Sequence, residues 1–128
     1  MGRDTGAGPD IERTLAGIPR GAFTIALAHN PALFPALAQR GVPLTLSGHT
    51  HYGQISVPWL GWSLASMFLQ YAMGAHRLGA SLLYISPGTN YWGIPVRLGA
   101  MHEVTVVTLR RARGDQREPA IEASFPAA

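Results

Sequence analysis

The sequence predicts an α/β fold, and three observations carry the prediction. "AFTIALA", Ala22 to Ala28, is a continuous apolar run of strand length; "PALFPALAQRG" follows with helical spacing and a stop at Gly41; "PLTLSG" then supplies a second strand. Strand, helix and strand in this order make a βαβ unit, with parallel strands and a right-handed crossover. Runs that are apolar throughout, not alternating, suit strands covered on both faces.

The remaining elements are read in chain order. "PDIERTLAGIP" is a short helix: Asp10 caps it, Ile11, Leu15 and Ile18 share a face, and Gly17 and Pro19 close it. The helix of the βαβ unit runs from about Pro31 to Gln39. From Ile55 to Met73 there is no charged residue, and Pro58 and Gly61 interrupt the run. That leaves a loop and an apolar helix from about Trp62 to Met73, too short for a hydrocarbon layer of roughly 30 Å. Two readings of it stay open: burial against the domain, or an interfacial surface with Trp59, Trp62, Phe68 and Tyr71 at the level of lipid headgroups. The rest reads as β structure, with "SLLYISPG" from Ser81, a turn region "GTNYWG", a short "IPVRL", and "EVTVVTLRR" from Glu103. Both faces of that last strand are apolar, so it is expected to be buried. "EPAIEASFPAA" is a weak edge strand or a loose end.

With 128 residues the chain has room for one domain. A composition 47% apolar and only 13% charged argues against disorder. The absence of cysteine removes disulfides, thiolate metal sites and cysteine nucleophiles, so a metal must take nitrogen and oxygen ligands. All ten basic residues are arginine, and four of them fall in "RRARGDQR", Arg110 to Arg117. No aromatic stacking platform accompanies them, so a solvated extension is expected there and nucleic acid is not. "MGRDTGAGPDIER" is polar, with no apolar stretch of the kind a signal peptide needs.

The topology predicts where the chemistry gathers. Parallel neighbours end on the same edge of a sheet, where the sites of α/β proteins form. His29 directly follows the first strand, and His49 and His51 follow the second, so all three are expected in one crevice. A His-x-His pair in a tight loop can direct two imidazoles to adjacent positions, and the flanking Gly48 and Gly53 allow positive φ and close approach.

"GHTH", Gly48 to His51, preceded by "LAHNP", Leu27 to Pro31, resembles the two C-terminal motifs of calcineurin-like metallophosphoesterases. "GHTHxGQ" followed by "YISPG", "IPVRL" and "EVTVVTL" is similar to the bacterial membrane-associated branch, which includes phosphodiesterases acting on nucleotide-linked lipid-A precursors. The resemblance runs from about Pro9 to Leu109. It implies a four-layer α/β/β/α sandwich of which residues 1–109 are the C-terminal half, the N-terminal half being absent, and residues 110–128 a basic tail. It further implies a two-metal centre of manganese, iron or zinc, with His29 and His49 on one metal and His51 on the other. The implied reaction is hydrolysis of a phosphomonoester or phosphodiester by a metal-bridging hydroxide.

Other implications of the resemblance concern substrate and location. Tyr52 stands where the branch usually has glycine, and it narrows the site or offers a phenol to substrate. Arg97, at a Pro-x-Arg position, meets a phosphate, with a salt bridge or a solvated strand end as the alternative. Pro87 stands where the branch often has arginine. The implied location is cytoplasmic or peripheral at the inner face of a bacterial membrane, with Ile55 to Met73 as the membrane-facing segment. His76 and His102 each lack a ligand partner at useful spacing and read as surface or structural residues. Asn30 reads as ordering its own loop through side-chain to backbone bonds, and Gly88 as a turn. For the three main histidines, capping and packing at strand ends is the plain alternative.

The carboxylates set a limit. Two cations held close together need negative charge between them, and no aspartate or glutamate lies between Arg13 and His102. The family's earlier motifs, Asp-x-His, Gly-Asp-x-x-Asp and Gly-Asn-His-Asp/Glu, are not in this sequence. The chain is therefore expected to be a fragment that is inactive alone, no residue of it being assigned a catalytic role beyond metal binding. The alternative is a non-catalytic metal-binding or interaction module.

Overall fold

A computed structural model describes residues 8–110 of the chain. The first helix, α1 (Ile11–Leu15), starts as its sequence requires: the Asp10 carboxylate accepts from the Arg13 N–H at 2.9 Å, and the Thr14 hydroxyl donates to the Asp10 carbonyl. The βαβ unit follows, with β1 (Ile25–Leu27), a 3-10 turn (Pro31–Leu33) running into α2 (Phe34–Gln39), and β2 (Leu44–Ser47). Asn30 caps that turn by accepting the Ala32 N–H at 3.0 Å, the local ordering role expected of it.

β1 and β2 are parallel, with Ile25 opposite Leu44 and Leu27 opposite Leu46. A hairpin missed in the sequence completes the sheet. β5 (Gly74–Leu78) pairs antiparallel with β6 (Ser81–Ile85), and β6 lies parallel beside β2, so the order is β1-β2-β6-β5. Only Gly79 and Ala80 join the hairpin strands, and Gly79 takes the positive φ that such a tight connection demands. A small antiparallel ladder, β3 (Ser56–Val57) with β4 (Trp62–Ser63), stands apart.

Phe34 of α2 packs on Leu83 and Ile85 of β6, all three fully buried. Leu37 joins Ala28 and Val42, with Ile11, Leu15 and Ala26 against them, so both helices lie on one face of the sheet. On the opposite face the stretch 103–107 crosses β6: Glu103, Thr105 and Val107 turn inward, and the hydroxyl of Tyr84 donates to the Glu103 carboxylate. Burial on both sides explains why every residue of β6 is buried.

Three expectations are corrected. β1 is not covered on both faces: Ala26 faces α2, while Leu27, pointing the other way, is 82% exposed. Each large aliphatic left open in this manner forgoes about 1.5–3 kcal/mol of burial. The segment from Glu103 forms no strand over residues 101–110; it is held by alternate side chains and by the Glu103 N–H donating to the Gly88 carbonyl at 3.1 Å, with Val104 81% exposed.

The helix expected from Trp62 to Met73 does not form either. β4 and a 3-10 turn (Ala65–Met67) take its place. The physical reason is local: the Ser63 and Ser66 hydroxyls accept each other's backbone N–H at 3.0 Å, offering the chain an alternative to the helical ladder. Residues 1–7 and 111–128 lie outside the described residues, and with them the polar N-terminus, the "RRARGDQR" cluster beyond Arg110 and the edge strand proposed for "EPAIEASFPAA".

Candidate metal centre

The C-terminal ends of β1 and β2 carry the histidines, as the parallel pairing requires. The Gly48 N–H donates to the His29 carbonyl at 3.3 Å, which links the two loops, and the His29 and His49 rings meet edge to face with centroids 4.9 Å apart. Both rings are exposed, open to a ligand. His51 is half-buried, and its Nδ1 lies 3.3 Å from the Asn90 carbonyl. A carbonyl only accepts, so Nδ1 carries the proton, and in the neutral ring the lone pair is then on Nε2.

The loop between them is strained. His49, His51, Tyr52 and Gln54 all have positive φ, at 71°, 50°, 51° and 61°. Each costs about 1–2 kcal/mol in a residue with a side chain, so the surroundings must over-determine the loop. They do so through four groups. Buried Thr50 donates its hydroxyl to the Ala72 carbonyl at 2.5 Å and receives the Tyr52 N–H. The Gln54 amide takes both backbone groups of Trp92, donating to its carbonyl and accepting from its N–H. Gly53 permits contact where a Cβ would stand 2.3 Å from the Ala65 nitrogen, and Gly99 where one would stand 2.2 Å from the Ser56 carbonyl oxygen.

Arg97 is the fourth group. Its Nε donates to the Ala100 carbonyl at 2.9 Å, Nη2 to Pro87 at 2.9 Å and His51 at 3.4 Å, and Nη1 to Gly88 at 3.5 Å and to Asn90. Five N–H donors meet five carbonyls. Burial lowers its pKa from the ordinary guanidinium value, yet it stays charged. Tyr52 is half-buried beside His51 in the strained turn. His76 donates from Nε2 to the Met73 carbonyl at 3.1 Å and meets Tyr71 edge to face.

The histidine arrangement brings His29 and His49 together and turns His51 toward Asn90. Among the described residues no three histidine, aspartate or glutamate side chains converge as a metal-holding group. Two neutral imidazoles fit two corners of one borderline divalent ion. With no carboxylate beside them, they do not by themselves fit a two-metal centre. A cleft of about 540 Å³ lies at the other ends of the strands, lined by Leu15, Arg20, Phe23, Arg40 and Pro43, remote from this chemistry.

Thr50, Gln54 and Asn90 escaped the sequence reading as supports of the loop. Thr50 and Gln54 sit within the quoted motif, whereas a backbone carbonyl such as that of Asn90 leaves no residue-type signal.

Comparison with known proteins gives the context. The chain is 38% identical over 115 residues to a transmembrane protein with metallophosphoesterase domain from Danio rerio, covering 88% of this chain and 26% of that protein. It is 41% identical over 111 residues to the protein of the same description from Bos taurus, covering 84% and 24%. The metallophosphoesterase YkuE of Bacillus subtilis is 35% identical over 103 residues, covering 80% and 36%. The chain thus spans about a quarter to a third of the length of these relatives. No family model and no solved structure matches. The chain belongs to the calcineurin-like metallophosphoesterases.

Proposed function

We propose that the complete protein hydrolyses a phosphoester and that this chain supplies the C-terminal half of its catalytic sandwich. The observation that carries the reading is the meeting of His29 and His49 at adjacent parallel strand ends, with His51 presenting a free Nε2 one turn away. His29 and His49 would hold one divalent ion, manganese, iron or zinc, and His51 a second. Bound metals of this kind supply a water nucleophile at neutral pH and neutralise charge on the phosphoryl oxygens. The chain's own part is to orient three imidazoles and to line the approach with Tyr52. Arg97, its donors committed to carbonyls, supports the loop that faces substrate. The bridging carboxylate must come from residues outside this chain, and the same residues would cover the open face around Leu27 and Val104.

A zinc or manganese titration of the 128-residue chain tests the metal reading. Alanine at His29, His49 or His51 is expected to lower affinity at least tenfold; unchanged affinity in all three variants would sink it. The alternative, a non-catalytic metal-binding or interaction module, is the expectation for the chain alone. Robust hydrolysis of a chromogenic phosphodiester by the purified 128-residue chain with added Mn²⁺ would refute that alternative and the fragment reading with it.

A membrane-facing surface is favoured by a separate observation. Trp59 is 84% exposed, and Leu60, Met67 and Phe68 are open beside it. A second loop with exposed Tyr91, Trp92 and Ile94 is held to the same 54–56 stretch, Gln54 binding Trp92 and Ile55 accepting from Leu64. No helix among the described residues is long and apolar enough to cross a membrane, so contact would be interfacial. Liposome flotation that leaves the chain wholly unbound would count against it.

A further inference from the structure

We infer that Arg97 is a positioning residue for His51: its guanidinium holds the Asn90 carbonyl against Nδ1 and so keeps the Nε2 lone pair available as a ligand. The purpose of this device rests on the metal reading above, but the device is a property of the chain itself.

One acceptor is shared by two donors. The Asn90 carbonyl receives both His51 Nδ1–H and Arg97 Nη1, and Arg97 Nη2 also reaches the His51 backbone carbonyl. Arg97 therefore grips His51 from two sides, at its backbone directly and at its ring through Asn90. The loop that bears Asn90 is not itself part of a strand: residues 86–93 form neither strand nor helix. Its start is tied to β2 by the Ser86 N–H on the Ser47 carbonyl, and Gly88 accepts from the Glu103 N–H; around Asn90 it is held by Arg97 donating to Pro87, Gly88 and Asn90 and by the Gln54 amide on Trp92. A planar fork with five donors can satisfy that many carbonyls; a lysine, with three donors on one nitrogen, cannot span them. Without the fork the Asn90 carbonyl is free to rotate into solvent, and a neutral imidazole then exchanges between its two tautomers. In one of these Nε2 carries the proton and cannot ligate.

Among the described residues no carbonyl holds a ring nitrogen of His29 or His49 in this way. Their rings contact each other, so the effect is specific to one histidine.

The test is long-range ¹H–¹⁵N spectroscopy of the histidine rings in the metal-free 128-residue chain, held where the imidazoles are neutral. His51 is expected in the Nδ1–H form in the wild type and as a tautomer mixture in Arg97→Lys, with His29 and His49 unmoved. Gln54→Ala, which loosens Trp92 but leaves the Arg97 to Asn90 bond, is expected to keep His51 in the Nδ1–H form. Zinc affinity should fall about tenfold in Arg97→Lys. A folded Arg97→Lys chain that keeps the wild-type His51 tautomer overturns the inference, as does a wild-type His51 protonated at Nε2. If Arg97→Lys does not fold, the Arg97 Nη–H signals of the wild type decide: restricted rotation and slow solvent exchange support the carbonyl hub, and exchange as fast as that of Arg20 overturns it. Zinc that moves no ring signal, together with the tautomer change, supports the positioning role while removing the metal reading.

Discussion

Two segments meet where Gly53 abuts Ala65, and they are held in opposite ways. The histidine loop, residues 48–54, is built from residues in costly backbone conformations, yet side-chain to backbone bonds from Thr50, Gln54 and Arg97 tie it down on several sides. The apolar stretch 59–69 pays no such strain except at Gly61, and its tryptophan, leucine and phenylalanine side chains stand open. The contrast shows that composition is a poor guide to rigidity. Polar residues with complete partners hold the strained loop, while apolar residues without a covering surface contribute little to it.

Breaking the contact between the two loops should have the largest effect. Gly53→Ala places a Cβ against the Ala65 backbone at a φ that disfavours it, and a loss of roughly 2–4 kcal/mol is expected from overpacking and strain together. A urea midpoint unchanged from wild type would show that the two loops are not pressed together. Thr50→Val comes next: it leaves the buried Ala72 carbonyl without its donor, at about 1–3 kcal/mol, and the same measurement should detect it.

On the other face of the sheet, stability depends on pH through Tyr84. Burial, and then the hydrogen bond to Glu103, pushes the Tyr84 hydroxyl up to about 12 from 10.0. The folded state then holds this proton between pH about 10 and about 12 while the unfolded chain releases it, so stability is full below that window and falls as pH rises through it. Tyr84→Phe should flatten that part of the stability profile; a profile identical to wild type would remove Tyr84 as its source. The smallest effect is expected at the open loop, where Phe68→Ser should change stability by under about 0.5 kcal/mol while lowering liposome binding. A large loss of stability there would mean that Phe68 is packed, not open.

The βαβ unit was legible because each of its parts is a local signal: apolar runs for the strands, Asn30 and Gly41 as punctuation for the helix. The end-of-strand position of His29, His49 and His51 followed from parallel pairing alone. The β5–β6 hairpin was hidden because "GAHRLG" carries charge and glycine where strand patterns are sought, and its partner in β6 decides its fate. The helix expected after Trp62 failed because an uncharged run has no polar face from which to read a period, and two serines captured the backbone. Arg97 carried a charge that suggested a phosphate, but the number of carbonyls around it is a property of three converging loops.

By itself the sequence determined the α/β class, the strand ends that bear the histidines, the family and the shortage of carboxylates, since residue type and spacing encode all four. The tertiary structure alone decided that His51 turns to Asn90, that Arg97 serves carbonyls, and that β1 and residues 103–109 present open apolar faces. The physical reason is that backbone acceptors and uncovered surface arise only when distant segments meet, and neither has a letter in the sequence.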